Sequence, residues 1–577
     1  MPINTITSDY ILSDIDNHFK VSAGPGAGKT HWLVNHIKHV LHNSDKLFRT
    51  KKIACITYTN IAVETILNRL GTSAERVEVS TIHSFLYKSI VKPYVSFIAD
   101  EFGLNTSEMD GHDEINISHG KLREWAESTN QSYLIYDRDS EVAKQKITKV
   151  LNALYNLQWI ITNDNIVLKI NPKKAYLGRI TPTISIRNNS FINLKKNYWE
   201  RGILSHDDVL FFSYQIIEKF PFVLDILSSK FPYIFIDEFQ DSNPIQIEII
   251  KKIATKNTII GVIGDVAQSI YEFQGADCTQ FQSFNLPNLN DYVLDENRRS
   301  TNEIIDVLNF IREDITQTNS RNINNGIPII FIGDMTLALR EAKNICDQEK
   351  VHTLSRNNIT SNAMKVEISG YNLDNTLLEK IKEIDSNIGR SKLIYSCIKA
   401  IVYGKENKFK DAIKVLEKQF NYRNDRSKGR KKALEYLTTL LEKYDVYKDF
   451  SLVNFANFIR ENLDSTLSNF RTGAPKTFYE TYTFKQLSLC VTIPEDLSLH
   501  KTIHKAKGDE FDNVLLVLKQ ENDLDFLLNK NLSNNEEHRV NYVACSRAKN
   551  RLFISVPSLS EEKKEILRPL FNIRNVY

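Results

Sequence analysis

Cysteine is scarce and poorly placed for chemistry. The six thiols, Cys55, Cys278, Cys346, Cys397, Cys490 and Cys545, are scattered through 577 residues. None forms a Cys-x-x-Cys pair, which excludes zinc ribbons, iron–sulfur clusters and a disulfide framework and points to a reduced compartment. No apolar run is long enough to span a bilayer, and no leader-like segment opens the chain, so a cytoplasmic protein with no membrane partner is expected. Excess charge of one sign is missing too. The 74 basic and 71 acidic residues leave +3, so any basic surface for nucleic acid must be local. There is no internal repeat, no low-complexity tract and no nuclease motif. What remains, 42% hydrophobic and 25% charged, is a globular balance in a chain too long for one core, so several domains are expected.

Two stretches carry the chemistry. The first is Ala23-Gly24-Pro25-Gly26-Ala27-Gly28-Lys29-Thr30. It follows a strand-like segment ending in Val21 and precedes a helical run from Thr30 to about Leu41, the setting of a P-loop. Its glycines let backbone N–H groups curl round phosphates at a helix N-terminus. Lys29 reaches the β and γ phosphates and Thr30 supplies a ligand for Mg²⁺. The second stretch is Asp237-Glu238-Phe239-Gln240-Asp241, after the apolar run Tyr233-Ile234-Phe235-Ile236 that reads as a buried strand. Asp237 would hold Mg²⁺, and Glu238 would activate the attacking water.

Strands are also predicted at 53–56, 259–263, 327–331, 351–354 and 514–518, with Pro328 confined to the start of its strand. A helix after Asn60 would bury Ala62, Ile66 and Leu70. Ile147, Val150, Leu151, Leu154 and Tyr155 form one helical stripe, and Leu434, Leu437, Leu441 and Tyr444 another. Gly111-His112-Asp113-Glu114 lacks partners at ligand spacing and reads as a solvated loop rather than a metal cluster. The basic run from Arg426 to Lys432 reads as a solvated loop, with phosphate contact as the alternative.

The ordered set of segments resembles superfamily 1 helicases of the UvrD/Rep/PcrA type. The matching stretches are the P-loop, Thr57-Tyr58-Thr59-Asn60, Thr81-Ile82-His83-Ser84, Asp237 to Asp241, Gly264-Asp265-Val266-Ala267-Gln268, Asn297-Arg298-Arg299-Ser300-Thr301, Thr502-Ile503-His504-Lys505-Ala506-Lys507-Gly508-Asp509-Glu510 and Tyr542-Val543-Ala544-Cys545-Ser546-Arg547-Ala548. The resemblance implies an α/β fold with two RecA-like parallel-sheet motor domains, each carrying a mainly helical insertion. Domain 1A would take residues 1–90 and 204–295, insertion 1B 91–203, domain 2A 296–365 and 491–577, and a shortened insertion 2B 366–490. ATP and Mg²⁺ would bind between the motor domains. Gln268 would contact the γ-phosphate or the attacking water, Arg299 and Arg547 would act as arginine fingers, and Glu510 would lie near the ribose. Tyr58, Thr59, Asn60, His83, Phe273 and His504 would bind DNA, with the aromatic rings of Tyr58 and Phe273 stacking on bases; core packing is the alternative for those two rings.

The chain also departs from that pattern. His31 and Arg298 stand where the family has Arg and Tyr around the adenine, so the two would clamp the base with their roles exchanged. Residues 1–17 contain no Gln placed to read adenine, which leaves base discrimination open. Phe273-Gln274-Gly275 replaces Trp-Arg-Gly. The function implied is an ATP-dependent single-stranded DNA translocase and 3′–5′ helicase. The alternative is a non-unwinding, DNA-stimulated ATPase that licenses a partner nuclease. Compact chains of this sort resemble helicase subunits of bacterial antiviral systems, including the Gabija type, which pair with an OLD-family nuclease. A P-loop kinase or GTPase would leave Arg299, Arg547 and the late His504 segment unexplained.

Overall fold

The computed structural model describes residues 4–48, 50–112, 115, 117–162, 165–171, 185–369, 373–385, 387–420, 426–493 and 498–576. The chain divides into two compact units. The first comprises residues 1–299, 312–321 and 531–539, and the second 300–311, 322–530 and 540–577. Residues 296–299, expected to open the second motor domain, group with the first unit.

The first unit is built on a seven-stranded, all-parallel sheet. Its strands are β1 (Asn4–Ile6), β2 (Phe19–Ala23), β3 (Ile53–Thr57), β4 (Val77–Thr81), β7 (Tyr233–Ile236), β8 (Ile259–Gly264) and β9 (Asn290–Leu294). The intervening β5 (Leu157–Thr162) and β6 (Asn165–Ile170) pair as a separate antiparallel hairpin. The order across the sheet is β1-β9-β2-β8-β7-β3-β4. The central strands read as unbroken apolar runs because both faces are covered. Tyr233 and Phe235 join one core, with Trp32 and Ile37 of the helix Lys29–Asn43. Ile234 and Ile236 join the other, with the helices His206–Lys219 and Pro244–Ala254. A short parallel ladder of β10 (Glu296–Asn297) and β11 (Thr318–Asn319) completes this unit.

The segment before β7 is organised around one buried carboxylate. Asp208 accepts from the indole N–H groups of Trp159 and Trp199, at 3.1 and 3.2 Å, and pairs with Lys195 at 2.9 Å. It also closes a capping box with Ser205 at the start of the helix His206–Lys219. Trp159 stacks on Phe211 with centroids 4.0 Å apart. On the helix Ser140–Tyr155, Val150 and Leu154 are buried as predicted, whereas Tyr155 is half exposed and its hydroxyl meets the backbone N–H of Ile117. The hairpin was not foreseen in a region expected to be helical.

The second unit carries a six-stranded parallel sheet of β12 (Ile329–Gly333), β13 (Val351–Ser355), β14 (His500–Thr502), β15 (Phe511–Val517), β16 (Ala548–Val556) and β17 (Asn572–Val576). The order is β14-β13-β15-β16-β12-β17. Pro328 precedes β12 and only its carbonyl is used, accepting from Asn572. Helices between Leu377 and Ser488 enclose their own core. Two expectations fail here. The run beginning at Arg426 is not a loop but the first turns of the helix Arg426–Glu442. That helix buries Ala433, Tyr436, Leu437 and Leu440, while Leu434 is 51% exposed. The apolar stripe is therefore rotated from the predicted one, because Ala433 and Tyr436 share the inward face at helical spacing.

Candidate functional site

The phosphate loop leaves the carboxyl end of β2, and the acidic stretch leaves the carboxyl end of β7 with only β8 between them. In open parallel sheets this edge is where ligands bind. Gly26 and Gly28 adopt φ of +74° and +82°, and a Cβ at Gly28 would stand 2.9 Å from the Cβ of Ser8. The loop therefore needs glycine both for its turn and for the close approach of the N-terminal segment. Gly26 O accepts from the backbone N–H of Arg298 at 3.0 Å, and Pro25 O from the side chain of Gln317 at 2.8 Å.

Thr30 Oγ1 lies 3.5 Å from Asp237 Oδ2. Burial, and then the neighbouring Glu238 carboxylate, push the Asp237 carboxyl well above its usual range, against the pull of Lys29. Burial likewise lowers the Lys29 ammonium, and Asp265, Glu238 and Asp237 oppose that shift. Glu238 holds a left-handed backbone at φ +55°, rare for a side-chain-bearing residue. Its carboxylate accepts from Gln240 Nε2 at 2.5 Å, and Gln240 Oε1 accepts in turn from the backbone N–H of Asp265. Gln268 Nε2 donates to Asp265 Oδ2 at 2.5 Å. A buried cation absent from the sequence reading, Arg312, meets Asp265 Oδ1 at 2.9 Å.

This constellation fits magnesium with a nucleoside triphosphate. Thr30 and Asp237 offer the hard oxygen donors such a cation takes, and a cation there would relieve the crowded carboxylates. Ala23, Gly24, Pro25, Ala27 and Lys29 line the same turn, and Arg299 follows Arg298, with its backbone N–H bonded to Asn297 Oδ1 at 2.9 Å. His31 and Arg298 both meet Asp9, at 3.2 and 2.7 Å. Glu510, His504 and Arg547 belong to the second unit. There Glu510 pairs with Lys549 at 3.6 Å, His504 Nδ1 lies 3.5 Å from Arg356, and Arg547 is buried with its guanidinium donating to Val543 O and Ser546 Oγ.

A cleft of about 740 Å³ in the first unit is lined by Tyr58, Asn60, His83, His112, His206 and Phe273, among others. Tyr58 stacks on Tyr271 with centroids 4.7 Å apart, and its hydroxyl donates to Gln274. Phe273 is 47% exposed. Thr59 caps the helix Asn60–Leu70, its hydroxyl accepting from Ala62; that helix buries Ile66 and Leu70 but only partly covers Ala62. Burial, then His206 and His112, push the His83 imidazole down to about 4, so it stays neutral near pH 7. His112 lies outside helix and strand, as expected, and its Nδ1 is 2.6 Å from that of His206. Asp113 and Glu114 lie outside the described residues. Among the described residues no group of three or more His, Cys, Asp or Glu side chains is placed to hold a metal ion.

The fold and this edge define a P-loop nucleotide-binding protein with two parallel-sheet units. The UvrD/REP helicase N-terminal domain model matches residues 3–287, and the UvrD-like helicase C-terminal domain model matches residues 451–558. The chain belongs to the UvrD-like helicase family. It is 31% identical over 336 residues to the Gabija protein GajB of Bacillus cereus (strain HuB5-5), covering 51% of this chain and 46% of that protein. It is 26% identical over 328 residues to the ATP-dependent DNA helicase PcrA of Bacillus subtilis (strain 168), covering 55% and 41%. The PcrA of Staphylococcus aureus (strain Mu50 / ATCC 700699) is 25% identical over 348 residues, covering 58% and 43%. The matches span less than half the length of each of these relatives.

Proposed function

We propose that this chain is an ATP-driven motor that translocates on single-stranded DNA and unwinds duplexes in the 3′ to 5′ direction. The observation that carries the proposal is the meeting of Thr30 and Asp237 at the carboxyl edge of one parallel sheet, in a chain of the UvrD-like family. On this reading residues 1–90 and 204–295 form motor domain 1A with insertion 1B at 91–203. Residues 296–365 and 491–577 form 2A with insertion 2B at 366–490.

Lys29 and the backbone of residues 23–28 hold the phosphates. Thr30 and Asp237 hold Mg²⁺, which when bound neutralises phosphate charge. Glu238, oriented by its contact with Gln240, takes a proton from the attacking water. Gln268 positions that water, and Arg299 and Arg547 stabilise charge developing in the transition state. Glu510 contacts the ribose. Tyr58, Thr59, Asn60, His83, Phe273 and His504 contact the strand. A cytoplasmic location follows from the DNA substrate, and among the described residues no helix is long and apolar enough to cross a membrane.

The test is strand displacement on duplexes bearing a 3′ or a 5′ single-stranded tail. ATP-dependent unwinding only from the 3′ tail is expected; unwinding only from the 5′ tail would reverse the polarity. The likeness to a Gabija protein favours one second reading, a DNA-stimulated ATPase that licenses a partner such as an OLD-family nuclease. DNA-stimulated turnover without unwinding, converted into partner-dependent cleavage when such a nuclease is added, would establish it instead.

A further inference from the structure

His31 and Arg298 were expected to clamp the nucleobase with nothing to read its edge. The structure brings a third group to the same place. Asp9 Oδ1 lies 3.2 Å from His31 Nε2, and Asp9 Oδ2 lies 2.7 Å from Arg298 Nη1. Arg298 is held from its other side by Glu296 at 2.9 Å. The position of Asp9 follows from its neighbours. Ser8 is buried against Gly28 of the phosphate loop, and Tyr10 O accepts from the indole of Trp32 at 3.0 Å. A residue fixed on both sides, beside the phosphate loop, and 59% exposed in its side chain is open to a ligand.

A carboxylate accepts hydrogen bonds and donates none, and its two oxygens offer about four lone-pair sites. The contacts to His31 and Arg298 leave acceptor capacity on both oxygens. A ring stacked between those two side chains would present its edge to Asp9. Adenine and cytosine carry an exocyclic amino group, and guanine carries an amino and an imino N–H side by side. Uracil presents its one ring N–H between two carbonyl oxygens, which repel a carboxylate. Unsubstituted purine presents no edge donor.

We propose that Asp9, set between His31 and Arg298, reads the nucleobase and admits triphosphates whose base bears an exocyclic amino group. ATP, GTP and CTP are substrates of one class, and UTP is excluded. This rests on the ATPase reading of the site. A buried hydrogen-bonding site rejects analogues by about 10⁴-fold, so a partly exposed carboxylate should give on the order of tenfold to hundredfold.

The experiment measures kcat/KM, with single-stranded DNA present, for ATP, GTP, CTP, UTP and purine riboside triphosphate on wild type, Asp9→Ala and Asp9→Asn. Thermal unfolding confirms that the variants fold. Wild type should favour ATP over purine riboside triphosphate, and CTP over UTP, by at least about tenfold. Asp9→Ala should bring both ratios to within about threefold, and Asp9→Asn, which can also donate, should improve UTP relative to CTP. Unchanged ratios in Asp9→Ala, or a wild type that uses UTP as well as CTP, would overturn the proposal. Equilibrium titrations with the same nucleotides separate the two levels. Binding without base preference sinks the role of Asp9 alone, whereas no binding of any triphosphate sinks the ATPase reading with it.

Discussion

Thr30 Oγ1 stands 3.5 Å from Asp237 Oδ2, although 207 positions separate the two residues along the chain. The contact joins the segments that follow β2 and β7, and it is flanked along the chain by Lys29 and Glu238, whose charges act on each other.

Those two flanking residues should fail differently. Lys29→Ala removes charge that holds phosphate in both ground and transition states, so nucleotide affinity and turnover should fall together. Glu238→Gln keeps the shape and the contact position of Gln240 but cannot accept a proton. It should bind ATP normally and lose about 10²- to 10⁴-fold in turnover. Steady-state ATPase assays paired with nucleotide titrations decide this, and near-normal turnover in Glu238→Gln would remove its assignment as the base.

Single-stranded DNA should stimulate that turnover. Tyr58 follows β3 beside β7, and Phe273 follows Gln268 by a few residues, so cleft and nucleotide edge share the same loops. Apparent affinity should fall as salt rises, since phosphate contacts release counterions. Phe273→Ala should cost one stacked base, about 1–3 kcal/mol. The DNA concentration for half-maximal stimulation should therefore rise roughly 5- to 150-fold. An unchanged half-maximal concentration would assign the Phe273 ring to packing alone.

Much of this architecture was legible because its signals are local. The apolar runs of β7 and β8 are continuous because each strand is buried on both faces, and the glycines of residues 24–28 answer to one turn. Asp9, Gln317 and Arg312 were not legible. Each reaches the nucleotide edge from a segment without a motif, brought there by packing rather than spacing, as Ser8 against Gly28 shows. The hairpin β5–β6 was missed because its alternation is short and lies in a stretch dominated by helical spacing. Leu434 was misplaced because an apolar residue beside the true stripe cannot be told from one within it by periodicity alone.

Asp208 should be the most sensitive structural position before β7. Burial disfavours its charge, but Lys195 and the bonds from Ser205 and Trp159 outweigh that and hold its carboxyl below the usual range. Its stabilising effect is thus present above the ordinary carboxylate pKa and lost as pH falls through the lowered one. Lys195→Met should leave a buried carboxylate without its counter-charge and cost about 3–5 kcal/mol. Asp208→Asn in the Lys195→Met background should recover part of that loss. Denaturant unfolding of both variants is the measurement, and an equal loss in the single and double variants would mean that charge is not the cause.

The last expectation concerns acid. His36 is buried in the first unit's core, stacked 5.1 Å from Trp32, and neither ring nitrogen has a hydrogen-bond partner among the described residues. Burial, reinforced by His39, pushes its imidazole down to about 3. The folded chain keeps this ring neutral, while an unfolded chain protonates it below about 6.5, so the unfolded state binds the extra proton. Stability should therefore fall as pH drops from about 6.5 toward 3, by about 1.4 kcal/mol per pH unit for this one group, or about 2 kcal/mol by pH 5. His36→Phe removes that titration and the unpaired nitrogens, while adding volume that a close-packed core resists by about 1–3 kcal/mol. The slope with pH is therefore the readout rather than the level at any one pH. Between pH 6.5 and 5 the variant should lose stability less steeply than wild type, and His83, also held neutral by burial, keeps the slope from vanishing. Unfolding midpoints across that range are the measurement; parallel curves for the two proteins would show that His36 does not carry the acid sensitivity.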